Sequence, residues 1–247
     1  RTEKLVFWGV LVLVVFLLFF RLGRHDVLTD DGHYALRALG YFDYMASKEQ
    51  TTPVSWFGYR PAWSYLSFHD HPPLFFLAQH VFLKIFGTSV VATRLLSALA
   101  AIGSLLTTYQ LGRRLTGSNR AGLVALVALA VSAYFLWMGR VGLIESLFTF
   151  LFLLGTLFLV RALQEEPRQF LWSGFFFGLA FLTKYTILLA LPGLGLYLLW
   201  RHRAVLRTRH FWLGLLVFVL LMSPVIIYNV AMFQARGHFD VQFADLF

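Results

Sequence analysis

Seven apolar runs punctuate the chain, at residues 5–20, 90–111, 121–138, 146–160, 170–183, 185–200 and 211–233. Most are separated by short stretches that carry arginines or an isolated acid. About 20 apolar residues suffice to cross a bilayer as a helix. Lipid offers no partner to an unpaired backbone group, so each run is predicted to be helical. The fifth and sixth runs are short and nearly fused, with Lys184 alone between them.

A different pattern lies between the first two runs. Residues 21–89 mix polar and apolar positions, and Tyr34, Tyr41, Tyr44, Trp56, Tyr59 and Trp63 crowd the segment. Tyrosine and tryptophan favour the headgroup level of a membrane. Over 31–48, Tyr34, Leu36, Ala38, Leu39, Phe42 and Met45 recur at helical spacing, which predicts a helix lying along the surface. Pro72 and Pro73 then open a second helix over 71–86, since proline is tolerated in a first turn.

Composition narrows the class. Of 247 residues, 59% are hydrophobic and 13% charged, against about 25% charged in a soluble domain; mean hydropathy is +0.70. One soluble core cannot bury that much apolar surface. The pattern specifies an all-α polytopic membrane protein with about seven transmembrane helices. The net charge of +9 would suit nucleic acid, but the cations sit between apolar runs, where they mark cytoplasmic loops and contacts with membrane lipids. No nucleic-acid partner is expected. There is no cysteine, which excludes disulfides, thiolate metal sites and cysteine nucleophiles.

Arg1 and Lys4 are placed in the cytoplasm and the spans alternate from there. The inner side then collects Arg113, Arg114, Arg120, Arg161, Arg168, Arg201, Arg203, Arg207 and Arg209. The outer side receives Asp26, Asp30, Asp31, Asp43, Glu49, Asp70, Glu145, Asp240 and Asp245. This scheme requires 71–86 not to cross and 170–200 to cross twice. No small-residue cleavage site follows the first run, which reads as a retained anchor. The chain opens on Arg1 and stops within a polar stretch, so a piece of a longer protein is expected.

The candidate chemistry falls on the outer side. It comprises Asp30 and Asp31 in "LTDDGHYALRA", His69, Asp70 and His71 in "HDHPPLFF", Arg140 and Glu145 in "GRVGLIE", then Lys184 and His238. Ionisable side chains at the ends of membrane helices are functional candidates. Each also has a structural reading. Asp30 can cap a helix, Glu145 can pair with Arg140, and Lys184 can snorkel to headgroups. Their convergence on one side is what points to a site.

In order and spacing, "TDDGHYALRALGYF", "HDHPPLFFLAQHVFLKIFGTSVVATRLLSALAA", "GRRLTG", "GRVGLIESLFTFLFLL" and "GLAFLTKYTILLALP" resemble GT-C glycosyltransferases. The branch they look most like is that of the protein O-mannosyltransferases and aminoarabinose transferases, glycosyltransferase families 39 and 83. The resemblance covers nearly all of residues 1–247. It implies an N-terminal transmembrane GT-C module whose first extracytoplasmic loop, 21–89, carries amphipathic helices. It implies transfer of a sugar from a polyprenyl-phosphate donor to a protein, lipid or glycan acceptor, on the extracytoplasmic face of the plasma or inner membrane. The family's acidic pair in the first outer loop falls on Asp30 and Asp31. Its second-loop acid falls on Glu145, where many members have Asp. Its basic residue before a proline pair falls on His71, where close relatives often have Lys.

Such a transfer needs a base for the acceptor hydroxyl and positive charge for the departing phosphate. Asp30 is the candidate base, with Asp31 and Glu145 as further catalytic candidates. His71, Arg94, Lys184 and Arg140 are candidate phosphate contacts. A divalent cation is another source of positive charge, with Asp70 and the distant His238 as oxygen and imidazole ligands. No other cofactor is expected. Two rivals stay open: a transporter of lipid-linked sugars, which wants ionisable groups near the bilayer midplane, and an inactive structural subunit of a membrane complex.

Overall fold

A computed structural model of the chain describes residues 2–24, 27, 29–41, 59, 61–68, 70–164 and 166–240. Among these, every regular element is helical. The α-helices are, in order, α1 (Thr2–Phe19), α2 (Thr29–Leu39), α3 (Leu74–Phe86), α4 (Val90–Thr116), α5 (Asn119–Ala130), α6 (Ala133–Arg140), α7 (Ile144–Gln164), α8 (Gln169–Phe181), α9 (Ile187–Arg201) and α10 (Arg209–Arg236). Short 3-10 turns occupy Ala62–Tyr65 and Arg203–Arg207.

Helices α1, α4, α7 and α10 are each long and apolar enough to cross a membrane, and α5 with α6 makes a fifth span bent by 67°. Helices α3, α8 and α9 are shorter and apolar. The run 121–138, expected as one unbroken helix, is therefore two. The break falls at Ser132, whose hydroxyl accepts the Phe135 amide at 3.3 Å and caps α6. A serine that caps a new helix competes with continuation of the old one.

Neighbouring contacts give the helix directions. Helices α4 and α7 run parallel: Ser97 meets Leu143, Gly103 meets the Phe150 ring and Gln110 meets Arg161. Helices α7 and α8 run antiparallel, with Phe152 on Phe177 and Phe158 on Trp172. Helices α8 and α10 run parallel, with Phe170 on Phe211, Gly174 on Gly214 and Gly178 on Leu221. A parallel pair needs a return between its members, and α9 supplies it, so 170–200 doubles back as the arginine pattern requires. A Cβ on Gly174 would collide with the Gly214 carbonyl; bare glycines let two membrane helices touch through their backbones. Helix α1 runs alongside α5 and α6, from Glu3 beside Arg120 to Leu18 beside Gly139.

The bundle thus has two chemically distinct ends. The basic end gathers the arginines of 113–120, 161–168 and 201–209. The acidic end carries α2, α3 and the joints 141–143 and 182–186. Helix α3 stays at that end: the Leu74 amide donates to the Leu182 carbonyl at 2.9 Å, Gln79 donates to the Thr93 carbonyl at 2.7 Å, and Leu83 packs with Ala38 and Ala92. Pro73 is its N-cap residue. Helix α2 buries Asp31, Tyr34 and Ala38, with Tyr41 just past its end, and turns Leu36 outward at 67% exposed, with Leu39 also exposed. This corrects the expected stripe through Leu36 and Leu39. The true stripe passes through Asp31, a polar position that an apolar count skips. The rest of that expected helix, 42–48, lies outside the described residues. Beneath α2, one core joins Tyr34, Phe68, Phe75 and Phe76 to Phe177, Phe181 and Tyr185, so the acidic end rests on packed aromatic rings.

Candidate active site

Consecutive residues on an α-helix point about 100° apart, and Asp30 and Asp31 meet opposite fates. Asp30 is exposed in the first turn of α2, and its side chain has no hydrogen-bond or ion-pair partner among the described residues. Asp31 is 1% exposed and pairs with Arg94, Nη2 to Oδ2, at 3.1 Å. Arg94 is equally buried and also donates to the Leu22 carbonyl at 2.9 Å. This buried pair fixes α2 on α4. It places Asp31 behind the surface, and it removes Arg94 from the expected phosphate contacts, because only 4% of its side chain is open to solvent.

The joint 141–143 is held from two sides: Ser97 donates to the Leu143 carbonyl at 3.0 Å and Ser146 to the Met138 carbonyl at 2.8 Å. A Cβ on Gly142 would lie 3.6 Å from the Asp31 Cβ and 3.0 Å from the Thr93 carbonyl. The first turn of α2 therefore packs directly on this joint. Glu145 follows in the first turn of α7, where the helix N-terminus favours a carboxylate. Its partner is not Arg140 but Lys184, with Nζ 2.6 Å from Oε1 and both side chains partly open to solvent. Arg140 instead donates to the Leu17 and Phe20 carbonyls at the end of α1, the latter at 2.8 Å. Cations suit the C-terminus of a helix, and this engagement takes Arg140 out of the phosphate set.

A third group comes from α2 itself. Arg37 pairs with Asp70 and lies 3.1 Å from His71 Nδ1, which in turn is 3.3 Å from Asp70 Oδ2. That nitrogen donates to Asp70 when protonated and accepts from Arg37 when not. Burial pushes the Asp70 carboxyl up, but the His71 hydrogen bond and the Arg37 charge outweigh it and hold the carboxyl at about 2. Asp70 is thus committed to Arg37. His238 is exposed, with Nδ1 2.9 Å from the Phe239 carbonyl. Among the described residues, no three His, Asp or Glu side chains are grouped to hold a metal ion. Neither Asp70 nor His238 belongs to such a group among those residues. His69 lies outside the described residues.

Tyr34 links these pieces. Its ring packs edge-on against His71 at 5.5 Å and Phe76 at 5.5 Å. Burial and the negative charges of Glu145 and Asp30 push its phenol well above the usual range, against the opposing pull of Arg37. One hydroxyl therefore feels Asp30, Glu145, Arg37 and Asp70 together. The Leu74–Leu182 hydrogen bond draws the His71 turn toward Lys184. Asp30, Glu145, Lys184, Arg37 and His71 thus surround one patch at the acidic end.

Sequence reasoning missed Arg37 as a site residue. Its signal is helical: Arg37 stands seven residues after Asp30 and three after Tyr34, on one face of α2. It also missed a buried network below Lys184. Tyr185 donates to Asp240 Oδ2 at 2.6 Å, Asn229 Nδ2 donates to the same oxygen at 3.2 Å, and the Asp240 amide donates to Asn229 Oδ1 at 2.8 Å. This ties the segment after α10 to the turn that carries Lys184.

The profile of the dolichyl-phosphate-mannose-protein mannosyltransferase family matches residues 70–228, more than half of the chain. The chain belongs to this family. Family membership places it in the GT-C superfamily and agrees with the order of motifs above. Two curated relatives are each 30% identical. YycA of Bacillus subtilis (strain 168) matches over 142 residues, 57% of this chain and 21% of that protein. An uncharacterized protein of Aquifex aeolicus (strain VF5) matches over 217 residues, 85% of this chain and 41% of that protein. The crystal structure of ArnT from Cupriavidus metallidurans in the apo state shares the fold, with a TM-score of 0.62 at 22% identity, over 95% of this mannosyltransferase-family chain and 42% of ArnT. The chain spans less than half the length of each of these proteins.

Proposed function

We propose that this chain is the transmembrane module of a glycosyltransferase that moves a sugar from a polyprenyl-phosphate donor to an acceptor hydroxyl, at the extracytoplasmic face of a cell membrane. The observation that carries this reading is the exposed Asp30 carboxylate, unpaired among the described residues, whose charge reaches Tyr34 together with those of Glu145 and Arg37 at the end of the bundle that also carries Lys184 and His71. A base without a fixed partner shares one end of the bundle with these cations. Asp30 accepts the proton of the acceptor hydroxyl as that oxygen attacks the anomeric carbon. The bond from this carbon to the phosphate oxygen breaks, and its electron pair leaves with the polyprenyl phosphate. Lys184, Arg37 and His71 stabilise the charge that gathers on the phosphate. Glu145 and Asp70 hold those cations in position until the phosphate competes for them.

An apolar cavity of about 210 Å3 between α8, α9 and α10, lined by Phe177, Leu191, Leu198, Phe211 and Phe218, suits the polyprenyl chain. It lies along the two helices that Lys184 joins. The arginines at the opposite end support the assignment of faces. The charged candidates stand at helix ends, not at mid-membrane, which favours surface chemistry over a transport path.

The test is Asp30→Asn in the full-length protein. The Asp30 side chain is exposed and makes no hydrogen bond or ion pair among the described residues, so folding and donor binding persist. Loss of the base should lower transfer by about 10²- to 10⁴-fold. Sugar transfer from the lipid donor is measured beside lipid translocation. Transfer at the wild-type rate would remove Asp30 from the mechanism, and translocation without transfer in the wild type would favour the transporter.

A further inference from the structure

The basic end holds a cavity of about 310 Å3 between α1, α4 and α7. Phe7 and Tyr109 form its apolar wall, their rings in contact at 4.8 Å. Arg113, Arg114, Arg161 and Gln110 form the polar wall, and among the described residues no carboxylate lines the space. Arg113 and Arg114 end α4, where a helix C-terminus attracts cations. That alone explains two of the three arginines. Arg161 comes from another helix. It is half-buried, its Nη2 donates to Gln110 Oε1 at 3.0 Å, and its guanidinium lies 5.2 Å over the Phe158 ring. Its Nε is buried with no acceptor among the described residues.

Arg113 and Arg161, brought from two helices to one wall, repel each other, and the buried Arg161 N–H without an acceptor is costly. A ligand with several anionic oxygens relieves both. Guanidinium groups match phosphate in geometry as well as in charge. The aromatic wall opposite offers contact to an apolar part of the same ligand. We propose that this cavity binds a phosphate-bearing anion, at the end of the molecule away from Asp30. A phospholipid headgroup supplies this chemistry, since basic pockets between membrane helices suit such headgroups; a free phosphate supplies it too.

The experiment uses the purified full-length protein in nanodiscs of phosphatidylcholine, with and without phosphatidylglycerol, and separately with inorganic phosphate added at matched ionic strength. Thermal unfolding is recorded, because a ligand that binds only the folded state raises the unfolding temperature. We expect a rise with phosphatidylglycerol or with inorganic phosphate. The rise should vanish in the Arg113→Gln/Arg161→Gln double variant and persist in Arg203→Gln, which is at the same end outside the cavity. A rise with phosphatidylglycerol alone assigns a lipid headgroup, and a rise with inorganic phosphate assigns the free anion. If the double variant does not fold, Arg113→Gln alone changes an exposed side chain and should weaken apparent affinity about tenfold, the order expected for one lost charge-assisted hydrogen bond. No rise with either ligand, an unchanged rise in the arginine variants, or an equal loss in Arg203→Gln overturns the proposal.

Discussion

The two ends of the bundle handle charge in opposite ways. At the acidic end four buried or half-buried cations are matched one by one: Arg94 with Asp31, Arg37 with Asp70, Lys184 with Glu145, and Arg140 with two helix carbonyls. At the basic end, Arg120 pairs with Glu3 across an exposed surface, the arginine side chain 86% accessible. A matched pair in a low-dielectric setting fixes geometry, and breaking it strands a charge. An exposed arginine holds little geometry. It acts through number, by biasing which loops stay on one side of the membrane. The acidic end is therefore specific in position, whereas the exposed arginines of the basic end, outside the cavity of Arg113 and Arg161, act chiefly in count.

The largest break of this contrast is Asp31→Asn. It leaves the Arg94 charge buried, and removing one member of such a pair costs about 3–5 kcal/mol. Unfolding of the purified protein measures this, and the double variant Asp31→Leu/Arg94→Met should recover most of it. A loss below about 1 kcal/mol, the range of exposed pairs, would erase the difference between the ends. Next comes Lys184→Met. Charge-assisted hydrogen bonds are worth about 1.5–3 kcal/mol, so KM for the lipid donor should rise about 10- to 100-fold while the protein stays folded. An unchanged KM would show that Lys184 serves only Glu145.

A pH series sharpens the comparison further. The Asp70 carboxyl sits at about 2 in the fold, against 3.8 for the free side chain. A depressed acid contributes stability that is present above its unfolded pKa and lost as the pH falls through its folded one. Stability should thus decline between about pH 4 and pH 2 by roughly 2 kcal/mol at most, since the side chain is partly accessible. Asp70→Asn should flatten that limb, and an unaltered limb would mean another group carries it. The smallest effect belongs to the basic end. Arg120→Gln should cost less than about 1 kcal/mol and fade with added salt; a larger, salt-resistant loss would show that this end also depends on place.

Much of the fold was legible because its determinants are one-dimensional. Apolar length and arginine placement gave the long helices α1, α4, α7 and α10 and the doubling back of 170–200, while of the about seven expected crossings four helices, or five with the bent pair, are long enough to span alone. The break at Ser132 hid inside an apolar run, visible only as a small capping residue. At the site, Asp30, Glu145, Lys184 and His71 were legible as residues that share an end. Their partners were not. Nearness in sequence suggested Arg140 for Glu145, yet the partner is Lys184, 39 positions away. Arg94 looked like any cation at a helix start, and only the packing of α2 on α4 buries it. Arg37 lies within a helix, so reading helix ends passed over it.

Gly174 and Gly214 leave no space for even a methyl group between α8 and α10. Helix α8 has 13 residues and α9 has 15, so each reaches only about 20 Å, short of the roughly 30 Å apolar thickness of a bilayer. The helix that fits into the notch at Gly174 is synthesised after both. While the chain is being made, the hairpin that carries Lys184 must rest in the membrane with its notch open to lipid. Only when α10 emerges can Gly214 close it and Asn229 meet Asp240 above. The birth order of the helices thus leaves the lysine's seat incomplete until α10 is made, and two residues without side chains set that schedule.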